Sequence, residues 1–211
     1  MMKESEANNM GYILATLMGY ILGCSNLAYY ISKAAKKDIR RDGSGNLGAS
    51  NATVLFGWKA GVSVALHDIG KALLAAILAK WLFPELEYAG AAAGVAAVLG
   101  HIFPFYLKFK GGKGFASYLG MIIALDWKFA LVILILVGLA TIITDYIVAG
   151  TTITILASPV YLGITAGLMA AVILAVATAV ILYKHRMNYV RIWKGEELGL
   201  RGAVRGDNRV K

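Results

Sequence analysis

The chain is dominated by apolar runs that are too long and too numerous for a water-soluble core. In order they are Met10 to Ile31, Trp58 to Phe83, Tyr88 to Leu107, Phe115 to Leu125, Trp127 to Thr144, Ile147 to Leu162 and Thr165 to Tyr183. A membrane-spanning helix takes roughly 20 apolar residues, so seven would use about 140 and leave about 70 for loops and tails. Composition agrees: of 211 residues, 59% are hydrophobic and 16% charged, whereas a soluble domain has about 25% charged residues. The mean hydropathy is +0.67. The reading is an all-α polytopic membrane protein, a single domain over residues 1–211 with seven transmembrane helices. Disorder, a disulfide scaffold and a soluble Rossmann enzyme are excluded. The first run is too long for a signal-peptide core, and mixed charges precede it, so it is kept as a helix. Cys24 lies inside that run and reads as packing. The run from Phe115 is short for a full crossing, which implies a tilted or incomplete span. Gly150, Pro159, Gly163 and Gly167 interrupt the last apolar region, and each is able to mark a turn or a kink.

Lysine and arginine set the orientation, because cytoplasmic loops are enriched in them. Sixteen of the 21 fall in three segments that a seven-helix arrangement puts on one side: 33–57, 108–113 and the tail from Lys184, which includes Arg205, Arg209 and Lys211. The opposite turns are acidic or sparse, with Glu85 and Glu87 in one and Asp126 and Lys128 in another. The N-terminus is therefore expected outside and the C-terminus in the cytoplasm. Topology and attraction to anionic headgroups account for the net charge of +9 without a nucleic-acid partner. No internal repeat is evident, which weighs against a transporter built from two related halves.

Three basic segments carry the chemistry. Gly43-Ser44-Gly45-Asn46-Leu47-Gly48-Ala49-Ser50-Asn51 has the G-x-G-x-x-G spacing, but a dinucleotide site needs a strand before it, and here a basic helix end leads in. Its glycines, hydroxyls and amides beside Arg40 and Arg41 suit an anion cradle. A flexible cytoplasmic loop fits the same residues equally well. The second segment runs from His101 to Gly114 and ends Lys110-Gly111-Gly112-Lys113-Gly114 where a basic loop enters a helix. Free N–H groups, the helix dipole and Lys113 could converge there on a phosphate. The Walker A spacing is absent. A basic connection at the headgroups, with His101 packed in a helix end, is the simpler alternative. In the third segment His185, Asn188 and Arg191 recur at helical spacing along one side of an extended last helix. They suit proton transfer and phosphate orientation, but taken alone the segment fits better as an interfacial helix end with Tyr189 and Trp193 at headgroup level. Inside the membrane, His67, Asp68 and Lys71 share one helix, and an Asp68–Lys71 ion pair is the expected economy. No metal-ligand spacing and no G-x-S-x-G elbow is present.

Together these segments resemble the membrane glycerol-3-phosphate acyltransferases of the PlsY type, which take their acyl group from acyl phosphate. The resemblance spans nearly the whole chain and rests on G-S-G-N-x-G-A-x-N at 43–51, Asp68 with Lys71, G-H-x-F-P-x-Y-x-x-F-K-G-G-K-G at 100–114, and H-R-x-N-x-x-R with G-E-E at 185–197. It implies transfer of a fatty acyl group from acyl phosphate to the 1-hydroxyl of sn-glycerol 3-phosphate, giving lysophosphatidate for phospholipid synthesis at the cytoplasmic membrane. No metal or cofactor is implied; the partners are the two substrates and membrane lipid. By motif position, the resemblance implies catalytic roles for Ser44, Lys113, His185 and Asn188. It implies substrate binding by Gly43, Gly45, Asn46, Asn51, Lys110, Gly111, Gly112, Gly114, Thr151 and Arg191. The base is His185 or the acceptor's own phosphate. Two departures stand out. Val54 occupies the place of the family's usual arginine, for which Arg40, Arg41 or Lys59 are the substitutes at hand. After Tyr146 the family tends to serines, where this chain has Val148, Gly150 and Thr151. A noncatalytic or altered-acceptor paralogue that binds phosphorylated lipid precursors is the alternative expectation.

Overall fold

A computed structural model describes residues 2–204, so Arg205, Arg209 and Lys211 of the basic tail lie outside the described residues. Every regular element among the described residues is helical. The helices are α1 (Met2–Cys24), α2 (Leu27–Ala34), α3 (Ala49–Phe56), α4 (Trp58–Leu82), α5 (Ala89–Ile102), α6 (Phe115–Leu125), α7 (Trp127–Thr144), α8 (Ile147–Ala166), α9 (Leu168–Trp193) and α10 (Leu200–Val204). They form two compact units, one up to Trp127 and one from Lys128 onward. Six stretches among the described residues are long and apolar enough to cross a bilayer. The eleven residues of α6 fall short of that length.

In the first unit α5 is the central post, with nearly all of its small side chains buried. Close approach of α1 is what its glycines permit. A Cβ on Gly19 would overlap the Ala93 backbone, and one on Gly23 the Ala97 backbone. Glycines four apart facing alanines four apart let two membrane helices pack backbone to backbone, where dispersion replaces the missing hydrophobic drive. The helices α4 and α6 also pack against α5 and each other, and α4 touches α1 as well.

The first apolar run departs from expectation, because α1 and α2 are separate helices broken at Ser25 and Asn26. Asn26 caps α2, its side-chain oxygen accepting from the Tyr29 amide at 2.9 Å, and its amide donates to the Leu47 carbonyl at 3.3 Å. A helix end leaves carbonyls without partners. Here Tyr106 donates its hydroxyl to the Cys24 carbonyl at 3.0 Å and Lys71 its ammonium to the Ser25 carbonyl at 2.7 Å. The third run also ends early as an α-helix: after Ile102 come Pro104 and a 3-10 turn over Phe105–Leu107. The polar segment 33–57 contains the short helix α3.

In the second unit, α7 presents apolar side chains such as Leu131, Ile135, Ile142 and Ile143 outward, as a lipid-facing helix does. Phe129 of α7 stacks on Tyr161 of α8, with centroids 3.9 Å apart and planes 4° off parallel. Of the four interruptions read in the sequence, only Gly167 ends a helix. Gly150, Pro159 and Gly163 lie inside α8, which therefore runs past Leu162 to Ala166, while α9 starts at Leu168 and continues to Trp193. Pro159 has no N–H for the Ile155 carbonyl. Thr178 of α9 donates its hydroxyl to that carbonyl instead, at 2.8 Å, so the backbone is satisfied without water.

Candidate active site

The first glycine segment is a loop folded around one buried side chain. Asn51, at the start of α3, donates to the Ile39 and Asp42 carbonyls at 3.1 and 3.2 Å and accepts from the Ser44 amide at 2.9 Å. Its amide group is thus spent on the loop's own backbone, which gives Asn51 the work of shaping the cradle. Gly43 and Gly45 sit at φ of +59° and +66°, and a Cβ on Gly43 would overlap the Asn51 side-chain oxygen. The Ser44 residue is exposed and Asn46 half-buried at the loop's outer edge. Arg40 lies alongside but grips Asp38 with two hydrogen bonds, Nε to Oδ1 at 2.8 Å and Nη2 to Oδ2 at 3.0 Å. That guanidinium holds the Asp38 carboxyl below the usual carboxylate range. Arg41 approaches the same carboxylate at 3.6 Å, and Lys59 lies over the Trp58 ring. Val54 is exposed on α3. The three substitute cations therefore have neighbours of their own.

The second segment doubles back on the end of α5. Lys108 and Phe109 both adopt left-handed backbone, with φ of 55° and 59°, and the reversal brings the Gly111 amide to the Ile102 carbonyl at 3.0 Å and the Gly112 amide to the His101 carbonyl at 3.1 Å. The sequence offered these glycine amides as free donors; the structure commits both to the last carbonyls of α5. What this segment presents is the start of α6, with Gly114 at φ of +97° just before it, and half-buried Lys113 beside it; Lys110 is exposed. The two glycine segments meet: a Cβ built on Gly112 would lie 3.0 Å from the Leu47 carbonyl oxygen.

Beneath this junction is a buried polar cluster that the sequence showed only in part. The Lys71 Nζ is 2.8 Å from Asp68 Oδ1, 2.7 Å from the Ser25 carbonyl and 2.9 Å from His101 Nδ1. An ammonium has three N–H donors and no acceptor, so these three contacts use it fully. Against a charged Lys71, His101 Nδ1 is the acceptor and the ring proton is on Nε2. Asp68 also lies 3.3 Å from His101 Nδ1 and 3.5 Å from His67 Nδ1. The Ser25 hydroxyl is 3.0 Å from the outer nitrogen of His67.

The third segment belongs to the second unit. His185 is buried on α9 with Nδ1 2.9 Å from the Ile181 carbonyl. A carbonyl only accepts, so Nδ1 carries the proton and the basic lone pair of the neutral ring is on Nε2. A reversal through Gly195, at φ of +70°, returns Glu197 to the helix. Its carboxylate takes the Asn188 amide at 2.5 Å and the Arg191 Nε at 2.6 Å. The sequence placed Asn188 and Arg191 on one side but did not show that Glu197 joins them. Thr151 is buried in α8, its hydroxyl given to the Ile147 carbonyl at 3.1 Å.

Helices with bilayer-length apolar spans, carrying glycine loops and cations at their ends, define an integral-membrane protein. Comparison with known proteins narrows this class. The chain matches the sequence model of the glycerol-3-phosphate acyltransferase family over residues 13–195. It is 38% identical over 202 residues to glycerol-3-phosphate acyltransferase 1 of Oceanobacillus iheyensis, covering 90% of this chain and 96% of that one. With the glycerol-3-phosphate acyltransferase of Pelagibacter ubique the figures are 34% over 189 residues, 89% and 97%. Among solved structures it resembles PlsY (YgiH), an integral membrane glycerol 3-phosphate acyltransferase, in its glycerol 3-phosphate form. The TM-score is 0.85 at 29% identity, over 92% of this chain and 97% of that one. For the lysophosphatidic acid form the TM-score is 0.78, at 29% identity over 89% and 94%. The chain belongs to the glycerol-3-phosphate acyltransferase family and is a membrane acyltransferase.

Proposed function

We propose that the chain transfers a fatty acyl group from acyl phosphate to the 1-hydroxyl of sn-glycerol 3-phosphate, starting phospholipid synthesis at the cytoplasmic membrane. The acceptor oxygen forms the ester bond to the acyl carbon, the bond from that carbon to phosphate breaks, and the hydroxyl proton leaves with a base. Lysophosphatidate and inorganic phosphate result. The carrying observation is the meeting of two glycine segments, each flanked by cations, at Leu47 and Gly112 within one unit. Both reactants are phosphorylated, and an activated anhydride asks the protein mainly to hold two anions, orient a hydroxyl and stabilise an oxyanion. Relatives solved with glycerol 3-phosphate and with lysophosphatidic acid support the acceptor and the product. The family match across most of the chain speaks against a noncatalytic paralogue.

In this reading Lys113 and the start of α6 hold the acceptor phosphate. Ser44 and Asn46 face the donor, with Gly43, Gly45 and Asn51 fixing their loop. His185 orients or deprotonates the hydroxyl, with Asn188 and Arg191 set by Glu197. Seven crossings, the seventh supplied by a tilted α6, put the basic segments in the cytoplasm and the N-terminus outside. The distribution of lysine and arginine supports that orientation.

Purified protein given acyl phosphate and glycerol 3-phosphate is expected to release lysophosphatidate without metal or acyl-CoA. Binding without product would refute the enzyme. Lys113→Ala is expected to raise the KM for glycerol 3-phosphate roughly tenfold or more, the scale of a charge-assisted hydrogen bond, and an unchanged KM would remove Lys113 from the acceptor site. Val54→Arg tests the missing cation: if the anion site is short of one ligand, kcat/KM rises by roughly tenfold.

A further inference from the structure

The buried cluster under the glycine segments has a job that charge pairing alone does not explain. A buried ion pair is replaceable by apolar side chains of similar volume with little loss of stability. This one sits at a particular seam. Lys71 joins α4 to the broken end of α1 through the Ser25 carbonyl, and to α5 through His101 Nδ1. Fixing Nδ1 fixes the plane of the imidazole. Its other nitrogen then occupies the place a side chain would need at position 112, since a Cβ on Gly112 would overlap His101 Nε2. The same residue's carbonyl holds the Gly112 amide at 3.1 Å, and the next carbonyl holds that of Gly111 at 3.0 Å. Lys113 follows directly in the chain. A line of contacts thus runs from Asp68 through Lys71 and His101 to the glycines that carry Lys113.

We propose that Asp68, Lys71 and His101 are positioning residues for the acceptor's phosphate: the cluster locks the imidazole against Gly112 and so sets the height of the Gly111–Gly114 loop. The proposal rests on the reading that this loop holds glycerol 3-phosphate. None of the three touches substrate; each acts through the loop.

The test compares KM with kcat in full-length protein in detergent, using glycerol 3-phosphate and acyl phosphate as varied substrates. In Asp68→Leu/Lys71→Met both charges go together, so no lone buried ion remains. The expected result is a folded protein whose KM for glycerol 3-phosphate rises about tenfold to a hundredfold, the scale of a misplaced binding group, with kcat and the KM for acyl phosphate changed far less. A folded double variant with the parental acceptor KM overturns the proposal. Lys113→Ala measured in parallel tells the failures apart: if it raises the acceptor KM while the double variant does not, only the positioning role is lost. If neither does, the reading of the loop is lost as well.

A second pair keeps the idea testable should the double variant not fold. His101→Asn retains an acceptor for Lys71 but vacates the ring's place beside Gly112, and Gly112→Ala adds the methyl that the ring forbids. Each alone is expected to raise the acceptor KM. Together the methyl fills the vacated space, so the combined variant is expected to recover part of that loss. Losses that simply multiply overturn the proposal.

Discussion

Asp68→Ala is expected to lose about 3–5 kcal/mol of folding stability, because it leaves an ammonium buried without its counter-ion. The Asp68 and Lys71 side chains are 2% and 5% exposed, so neither reaches water. Removing the carboxylate takes away one of three partners of Lys71 and the only negative charge within the cluster. The neighbours cannot replace it. The Ser25 carbonyl and the neutral imidazole offer dipoles, and a dipole does not offset a full charge in a low-dielectric interior. The measurement is the thermal midpoint and the monodisperse yield in detergent, compared with Asp68→Leu/Lys71→Met. The single variant should fall far below parent and the double variant should recover most of the difference. A stable single variant would mean that water or lipid headgroups reach the cluster.

His185→Ala is expected to lower kcat by about a hundredfold or more, the usual yield of positioned acid–base catalysis. The ring is buried and its tautomer is set by the Ile181 carbonyl, so a basic Nε2 is held on a helix face rather than on a mobile loop. As a base it works through the Nε2 lone pair, so added imidazole should restore part of the alanine variant's rate. A lower rate that imidazole does not restore would assign His185 to orientation and leave the proton to the acceptor's own phosphate. An undiminished rate would remove it from the chemistry. Neither outcome is mimicked by loss of fold, which the detergent yield reads independently.

Much of the bundle could be read without coordinates, because hydropathy and the punctuating residues act locally. The starts at Trp58, Phe115, Trp127 and Ile147 follow directly from where apolar runs begin. The break at Ser25 and Asn26 could not be read this way. A polar pair inside an apolar run is compatible with a continuous helix, and what opens it lies far off in sequence, at Leu47, Lys71 and Tyr106. His101 looked like a packed helix end for the same reason, since its partner is Lys71, on α4. The glycines of 111–114 signalled conformational freedom, but spacing does not tell which carbonyls capture their amides. The side-by-side placement of Asn188 and Arg191 was legible from helical periodicity. The return of Glu197 depends on a chain reversal at Gly195 that periodicity does not describe.

The hydroxyl of Thr178 standing in for the N–H that Pro159 lacks makes the tolerance of change at one position depend on the other. A lineage that trades Thr178 for valine while keeping the proline strands a carbonyl in hydrocarbon, whereas one that first loses the proline is at liberty to drop the hydroxyl afterward. Divergence among relatives at these two sites should therefore be correlated and ordered, with the imino acid going first.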